Sequence, residues 1–218
     1  TEFRPYSVSP QWILGQPKPV PGHIWDYPEM PKYTSVRGGI DLGGDKGTAH
    51  YTTGLVAVRT ESGRRIIVDE FKGRGPGVDM RLAEWINRME AKWARPIHGN
   101  IHWTASKDQK WGLQHLARGA QINIRPNKGT FDARDDNVAQ IQQMFLYDLL
   151  FIRPECKGII EELRNYVYDK KAMERTGTVK YMRKNDDLVD ALQYLVESED
   201  KVVGDPQKLF GAMYTPMR

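Results

Sequence analysis

The chain has 218 residues, a formal net charge of +4 and a sequence pI near 9.0, room for one sizeable α/β domain with arms or two small ones. Its one cysteine, Cys156, excludes a disulfide framework and a cysteine-based zinc site, and no apolar stretch reaches the length of a membrane span. The basic excess suits a polyanionic partner without requiring one. A start at Thr1-Glu2-Phe3-Arg4, with neither signal peptide nor initiator methionine, reads as a piece of a longer protein in a reducing, intracellular setting.

Residues 1–36 hold seven prolines interleaved with Trp12, Trp25 and Tyr27. Proline at that density forbids a long helix or central strand, and the aromatics argue for an extended arm lying against a domain. Residues 37–200 read as the globular domain and residues 201–218 as a tail. Strands are expected at Val36 to Leu42, Thr53 to Thr60 and Arg65 to Phe71, with Ser62-Gly63 turning a hairpin between the last two. Helical spacing follows over Val78 to Trp93, then a buried strand over Asn100 to Ala105, a helix over Trp111 to Arg118 and a short strand over Ile122 to Arg125. Asp135 to Leu150 has a strong apolar face built on Val138, Ile141, Met144, Phe145 and Leu149. A brief strand to Arg153, a helix over Lys157 to Tyr166 and a last helix over Asp187 to Ser198 complete the order. Antiparallel strands come first and α/β alternation afterwards.

The densest chemistry lies in Asn185-Asp186-Asp187-Leu188-Val189-Asp190-Ala191-Leu192, which sets three carboxylates at the mouth of an apolar helical run. Such acids suit the helix dipole and can simply cap it. They also repel one another unless a cation lies between them. A second centre stands far upstream in Gly38-Gly39-Ile40-Asp41-Leu42-Gly43-Gly44, where an aspartate ends a short apolar strand. Carboxylates on separate elements, gathered by the fold, are what a magnesium-dependent phosphodiester nuclease needs.

With Pro154-Glu155-Cys156 and the stretch Glu161-Glu162-Leu163-Arg164-Asn165-Tyr166 between them, these motifs resemble, over residues 36–198, the ribonuclease H-like nuclease superfamily. Within it the likeness is to the nuclease domain of tailed-phage large terminase subunits. The resemblance implies an α/β fold with a mixed sheet, three antiparallel strands and then parallel ones, flanked by helices. It implies hydrolysis of both DNA strands at a centre of two Mg2+ or Mn2+ ions. Asp41 would bridge both ions and Asp186 or Asp187 would supply the C-terminal acid. Asp190, one turn past Asp186, would face the same ion or serve as a supporting carboxylate.

The family pattern expects a further acid at the end of the middle strand, and here Ala105 stands at the aligned position. Three readings remain open: a substitution at Ala105 that inactivates the chain, Asp108 reaching back as the ligand, or natural loss of activity. Asp45, in the glycine-rich loop after Asp41, is an auxiliary ligand or a turn aspartate. Histidines His50, His98, His102 and His115 are scattered and show no metal-ligand spacing. Basic glycine-bearing loops at Gly73 to Gly77 and around Lys128, and the run containing Lys180, Arg183 and Lys184, suit contacts to DNA phosphates.

No Gly-x-x-x-x-Gly-Lys-Ser/Thr loop is present. The resemblance therefore implies an ATPase domain upstream, joined through residues 1–36, with the portal protein and the small terminase subunit as partners. It also implies cutting of concatemeric DNA in the host cytoplasm, by a monomeric domain absent from the mature virion. A Holliday-junction resolvase or transposase of the same fold is the rival within the class. A non-catalytic module that docks on DNA or the portal is the rival outside it.

Overall fold

The computed structural model describes residues 21–43, 50–105, 123–126, 131–166, 174–175 and 186–197. Its strands are β1 (Tyr33–Asp41), β2 (Thr52–Thr60), β3 (Arg65–Gly73), β4 (His102–Ala105), β5 (Asn123–Pro126) and β6 (Leu150–Ile152). The helices are α1 (Val78–Met89), α2 (Phe131–Leu146), α3 (Lys157–Asn165) and α4 (Asp187–Glu197). The strands form a six-stranded sheet in the order β5-β4-β1-β2-β3-β6. β1, β2 and β3 pair antiparallel, while β4 joins β1, β5 joins β4 and β6 joins β3 in parallel. That is the mixed sheet the resemblance implies.

β2, rich in β-branched residues, is buried at every position except Arg59, as a central strand covered on both faces must be. One face carries a core of Leu55, Ile67, Phe145, Ile159, Leu192 and their neighbours under α2, α3 and α4. The other packs Ile40, Val58, Ile66, Trp85 and Trp103 under α1. Two glycines of β1 let both layers approach closely. A Cβ on Gly38 would lie 2.1 Å from the Trp103 ring, and one on Gly39 would lie 2.0 Å from the Ala191 carbonyl of α4. Trp103 is fully buried, so its truncation to alanine would cost roughly 3–5 kcal/mol.

Several boundaries differ from those read in the sequence. β1 begins at Tyr33, inside the stretch assigned to the arm, because Tyr33 pairs with Thr60 and its hydroxyl donates to the Trp93 carbonyl at 2.9 Å. The helix expected through Trp93 widens into a π turn at Glu90–Ala94 and a 3-10 turn at Arg95–Ile97. Glu90 there accepts the Ile101 N–H and the Trp103 indole N–H, each at 3.0 Å. α2 runs from Phe131 and stops at Leu146 rather than Leu150, since Asp148 takes a φ of 52° that no helix continues through. The helix expected at Trp111 to Arg118 lies outside the described residues.

Before β1 the chain is pinned to the sheet edge. Ile24 bridges to Ile152 of β6, and the Trp25 N–H donates to the Ile152 carbonyl at 2.8 Å. His23 and Trp25 are buried there against Phe145 and Phe151. An edge strand of three residues is thereby covered. No helix among the described residues is long and apolar enough to cross a membrane.

Candidate active site

Asp41 ends β1. Its cross-strand partner is Thr53 of β2, which pairs in turn with Lys72 of β3. Residues paired across a sheet project from the same face. Thr53 identifies that face, because its hydroxyl donates to the Asp187 carbonyl at 2.8 Å. Gly39, two residues before Asp41, abuts α4 on the same side. The fold thus brings Asp41 and the N-terminus of α4 to one end of one face, as the two acidic motifs require.

The three acids of the α4 motif have different surroundings. Asp186 is half-buried and caps the helix, its carbonyl accepting the Asp190 N–H at 2.9 Å. Asp187 is only 7% exposed. Its Oδ1 accepts the Tyr51 N–H at 3.4 Å and lies 3.6 Å from His50 Nδ1, while Oδ2 lies 4.0 Å from Lys72 Nζ. Asp190 accepts the Gln193 amide at 2.9 Å within its own helix.

Glu162 of α3, quoted above only as part of a motif, holds the helix mouth. Its Oε2 accepts the N–H groups of Leu188 and Val189 at 2.8 and 3.2 Å, and its Oε1 takes the Lys72 ammonium at 2.6 Å. Two orphan donors of the first turn of α4 are satisfied by a side chain from another helix. Burial pushes the Glu162 carboxyl above its ordinary pKa, against the pull of Lys72 and the two amides. Lys72 lies one residue past the strand read in the sequence, and its contact with Glu162 spans 90 residues of chain.

Ala105 requires a correction. It pairs with Ile40 rather than with Asp41, is fully buried, and lies in the apolar cluster under α1. Successive strand residues alternate faces, so its Cβ points away from the acid cluster and Thr104 takes the α4 side. A carboxylate at position 105 would therefore sit among Ile40 and Trp103, not beside Asp41. Asp45, Asp108, Lys128, Lys180, Arg183 and Lys184 lie outside the described residues.

Asp41 at the end of β1 and Asp186 before α4 carry hard carboxylate oxygens, the donor type that suits a small divalent cation. Among the described residues no group of three His, Cys, Asp or Glu side chains is arranged to hold a metal ion. The described part of β4 stops one residue short of the level of Asp41, and Asp187 is engaged by protein donors. Elsewhere, a cavity of about 520 Å³ lies between Met30, Trp93 and the edge of β3 and reaches Cys156. Burial pushes the Cys156 thiol well above its ordinary pKa, which leaves it a poor nucleophile.

The sheet order and flanking helices define a ribonuclease H-like fold. The chain is similar in structure to the large terminase of a thermophilic bacteriophage solved with ADP, at 20% identity and a TM-score of 0.66 over 84% of this chain and 43% of that one. It thus spans under half the length of that relative. The nuclease domain of the bacteriophage P22 large terminase matches at 16% identity and a TM-score of 0.61, over 83% of this chain and 90% of that domain. The large terminase nuclease of thermophilic phage G20c, solved with bound magnesium, matches at 16% identity and a TM-score of 0.53 over 81% of this chain and 93% of that one. At such identities the likeness establishes the fold. No protein-family model matches the sequence, and no curated protein matches it.

Proposed function

We propose that this chain is a divalent-metal-dependent DNA endonuclease domain, the cutting part of a viral large terminase. The observation that carries the reading is the Thr53 link. The strand partner of Asp41 is hydrogen-bonded to the main chain of Asp187, so acids from opposite ends of the chain share one corner of a ribonuclease H-like sheet. Asp41 and Asp186 would hold Mg2+ or Mn2+, together with a ligand from the segment after β4. A bound ion supplies Lewis-acid stabilisation of the leaving oxygen and a more acidic attacking water.

The chain's own residues set the geometry. Glu162 and Thr53 anchor the first turn of α4, and Asp187 is a positioning residue that fastens this turn to Tyr51 and Lys72. In this reading Asp186 would thereby be presented toward the end of β1. Double-stranded DNA is the substrate in this reading, contacted through phosphates and cut without sequence preference. The partners would be an upstream ATPase domain, the portal protein and the small terminase subunit, acting in the host cytoplasm.

Calorimetric titration with Mn2+ tests the site directly. The chain should bind Mn2+, and Asp41→Asn and Asp186→Asn should each weaken binding roughly tenfold or more, as loss of a charged ligand implies. A docking module with structural acids would give no metal response in any of the three proteins.

A further inference from the structure

Two cations lie over one aromatic ring beside the acid site. Lys72 Nζ is 4.5 Å from the centroid of the Tyr51 ring and Arg74 Cζ is 5.0 Å from it. The Lys72 charge is answered inside the protein by Glu162 at 2.6 Å and Asp187 at 4.0 Å. Arg74 is exposed, and no carboxylate among the described residues pairs with it.

The loop that carries Arg74 is built to hold it in place. Gly75 and Gly77 take φ values of 81° and 72°, turning the chain tightly from β3 into α1. Arg81 of α1 donates to the Arg74 carbonyl at 2.9 Å. The main chain that bears this ring is held to the acid site, because the Tyr51 N–H donates to Asp187 Oδ1. An arginine pre-oriented on an aromatic face, with its fork free, is the side chain best suited to a bidentate phosphodiester contact.

We propose that Arg74, seated on Tyr51, is the clamp for a backbone phosphate of the DNA strand presented to the acid cluster. The inference rests on the nuclease reading for the identity of the polyanion. Its geometric content is a fixed chain of contacts from phosphate to Arg74, to Tyr51, to Asp187. Tyr51 is then a positioning residue, acting through its ring on the guanidinium and through its amide on the acid.

The test is metal-free binding of a short DNA duplex, followed by fluorescence anisotropy across a salt series. Arg74→Ala should weaken binding roughly tenfold at low salt and lower the log–log salt slope by about one unit. Tyr51→Phe, which keeps the ring, should match the parent, whereas Tyr51→Leu, which keeps the Arg74 charge but removes its seat, should lose several-fold in affinity. Arg88→Ala removes an equal charge from the far end of α1 and serves as the control.

An unchanged slope in Arg74→Ala, or equal losses in Arg74→Ala and Arg88→Ala, overturns the clamp. So does a parent that fails to bind DNA. Melting curves of each variant separate loss of the contact from loss of the fold, and Arg74→Lys, restoring charge without the fork, should recover the slope but not the full affinity. If the parent binds DNA through Arg74 yet never cuts it, the clamp stands and the nuclease reading falls.

Discussion

The Lys72 ammonium meets Glu162 Oε1 at 2.6 Å, while the other carboxylate oxygen of Glu162 receives two N–H groups from the first turn of α4. This contact ties β3, α3 and α4 together at the point where the acids of the C-terminal motif begin. Glutamate serves here as a bifunctional anchor, and no neutral side chain offers the same two acceptors.

Glu162→Gln keeps the shape but supplies one acceptor oxygen for three donors. Loss of about 2–4 kcal/mol of stability is expected, toward the lower end because Lys72 is partly exposed. Chemical denaturation measures it. Burial raises the Glu162 pKa, so its stability contribution is fully present below the ordinary carboxylate pKa and declines as pH rises through the folded value. Glu162→Gln should therefore remove a component of stability that falls with rising pH, and an unaltered pH profile would refute it.

Ala105→Asp should not complete a metal site. It would bury a carboxylate beside Ile40 and Trp103, on the face of the sheet opposite Asp41, at a cost of roughly 3–5 kcal/mol if ionised. The expected outcome is a sharply lower melting temperature and no gain in Mn2+ affinity. A variant that folds normally and binds Mn2+ more tightly would reverse the assignment of faces.

The fold was legible because its signals are periodic. The β-branched, strand-like runs of β1 to β3 and the apolar stripes of α1, α2 and α4 mark elements whose order defines the sheet. Asp41 and the Asp186-Asp187 pair could be picked out as acids next to strand and helix ends. What the sequence hid is the direction of side chains set by register. One residue of offset puts Ala105 opposite Ile40 and on the wrong face. The different surroundings of Asp186 and Asp187 come from tertiary contacts of Asp187 to Tyr51 and Lys72, which no local pattern announces.

His23 gives the pre-β1 segment an acid-sensitive attachment. Its ring is buried, with Nε2 2.9 Å from the Phe145 carbonyl and 3.1 Å from Asp148 Oδ1, so Nε2 carries the proton in the neutral tautomer. Burial lowers the His23 pKa below its ordinary value of 6.5, outweighing Asp148. The stability it contributes is present above 6.5 and is lost as pH falls through the folded value. Melting temperature should fall as pH drops below 6.5, and His23→Gln should flatten that dependence. An identical profile in the variant would show that other groups cause the acid sensitivity.

Nicking of supercoiled plasmid in Mn2+ by the chain and by its Asp41→Asn, Asp186→Asn and Asp187→Asn variants is the most direct test of an endonuclease centred on Asp41 and α4. Metal-dependent nicking by the chain is expected, with Asp41→Asn and Asp186→Asn reduced by about a hundredfold or more while their melting temperatures hold. Asp187→Asn should lower stability as well as activity, since its carboxylate braces α4 against β2 and β3. Undiminished nicking by Asp41→Asn, or a folded parent that fails to cut in Mn2+ and Mg2+ alike, would contradict it.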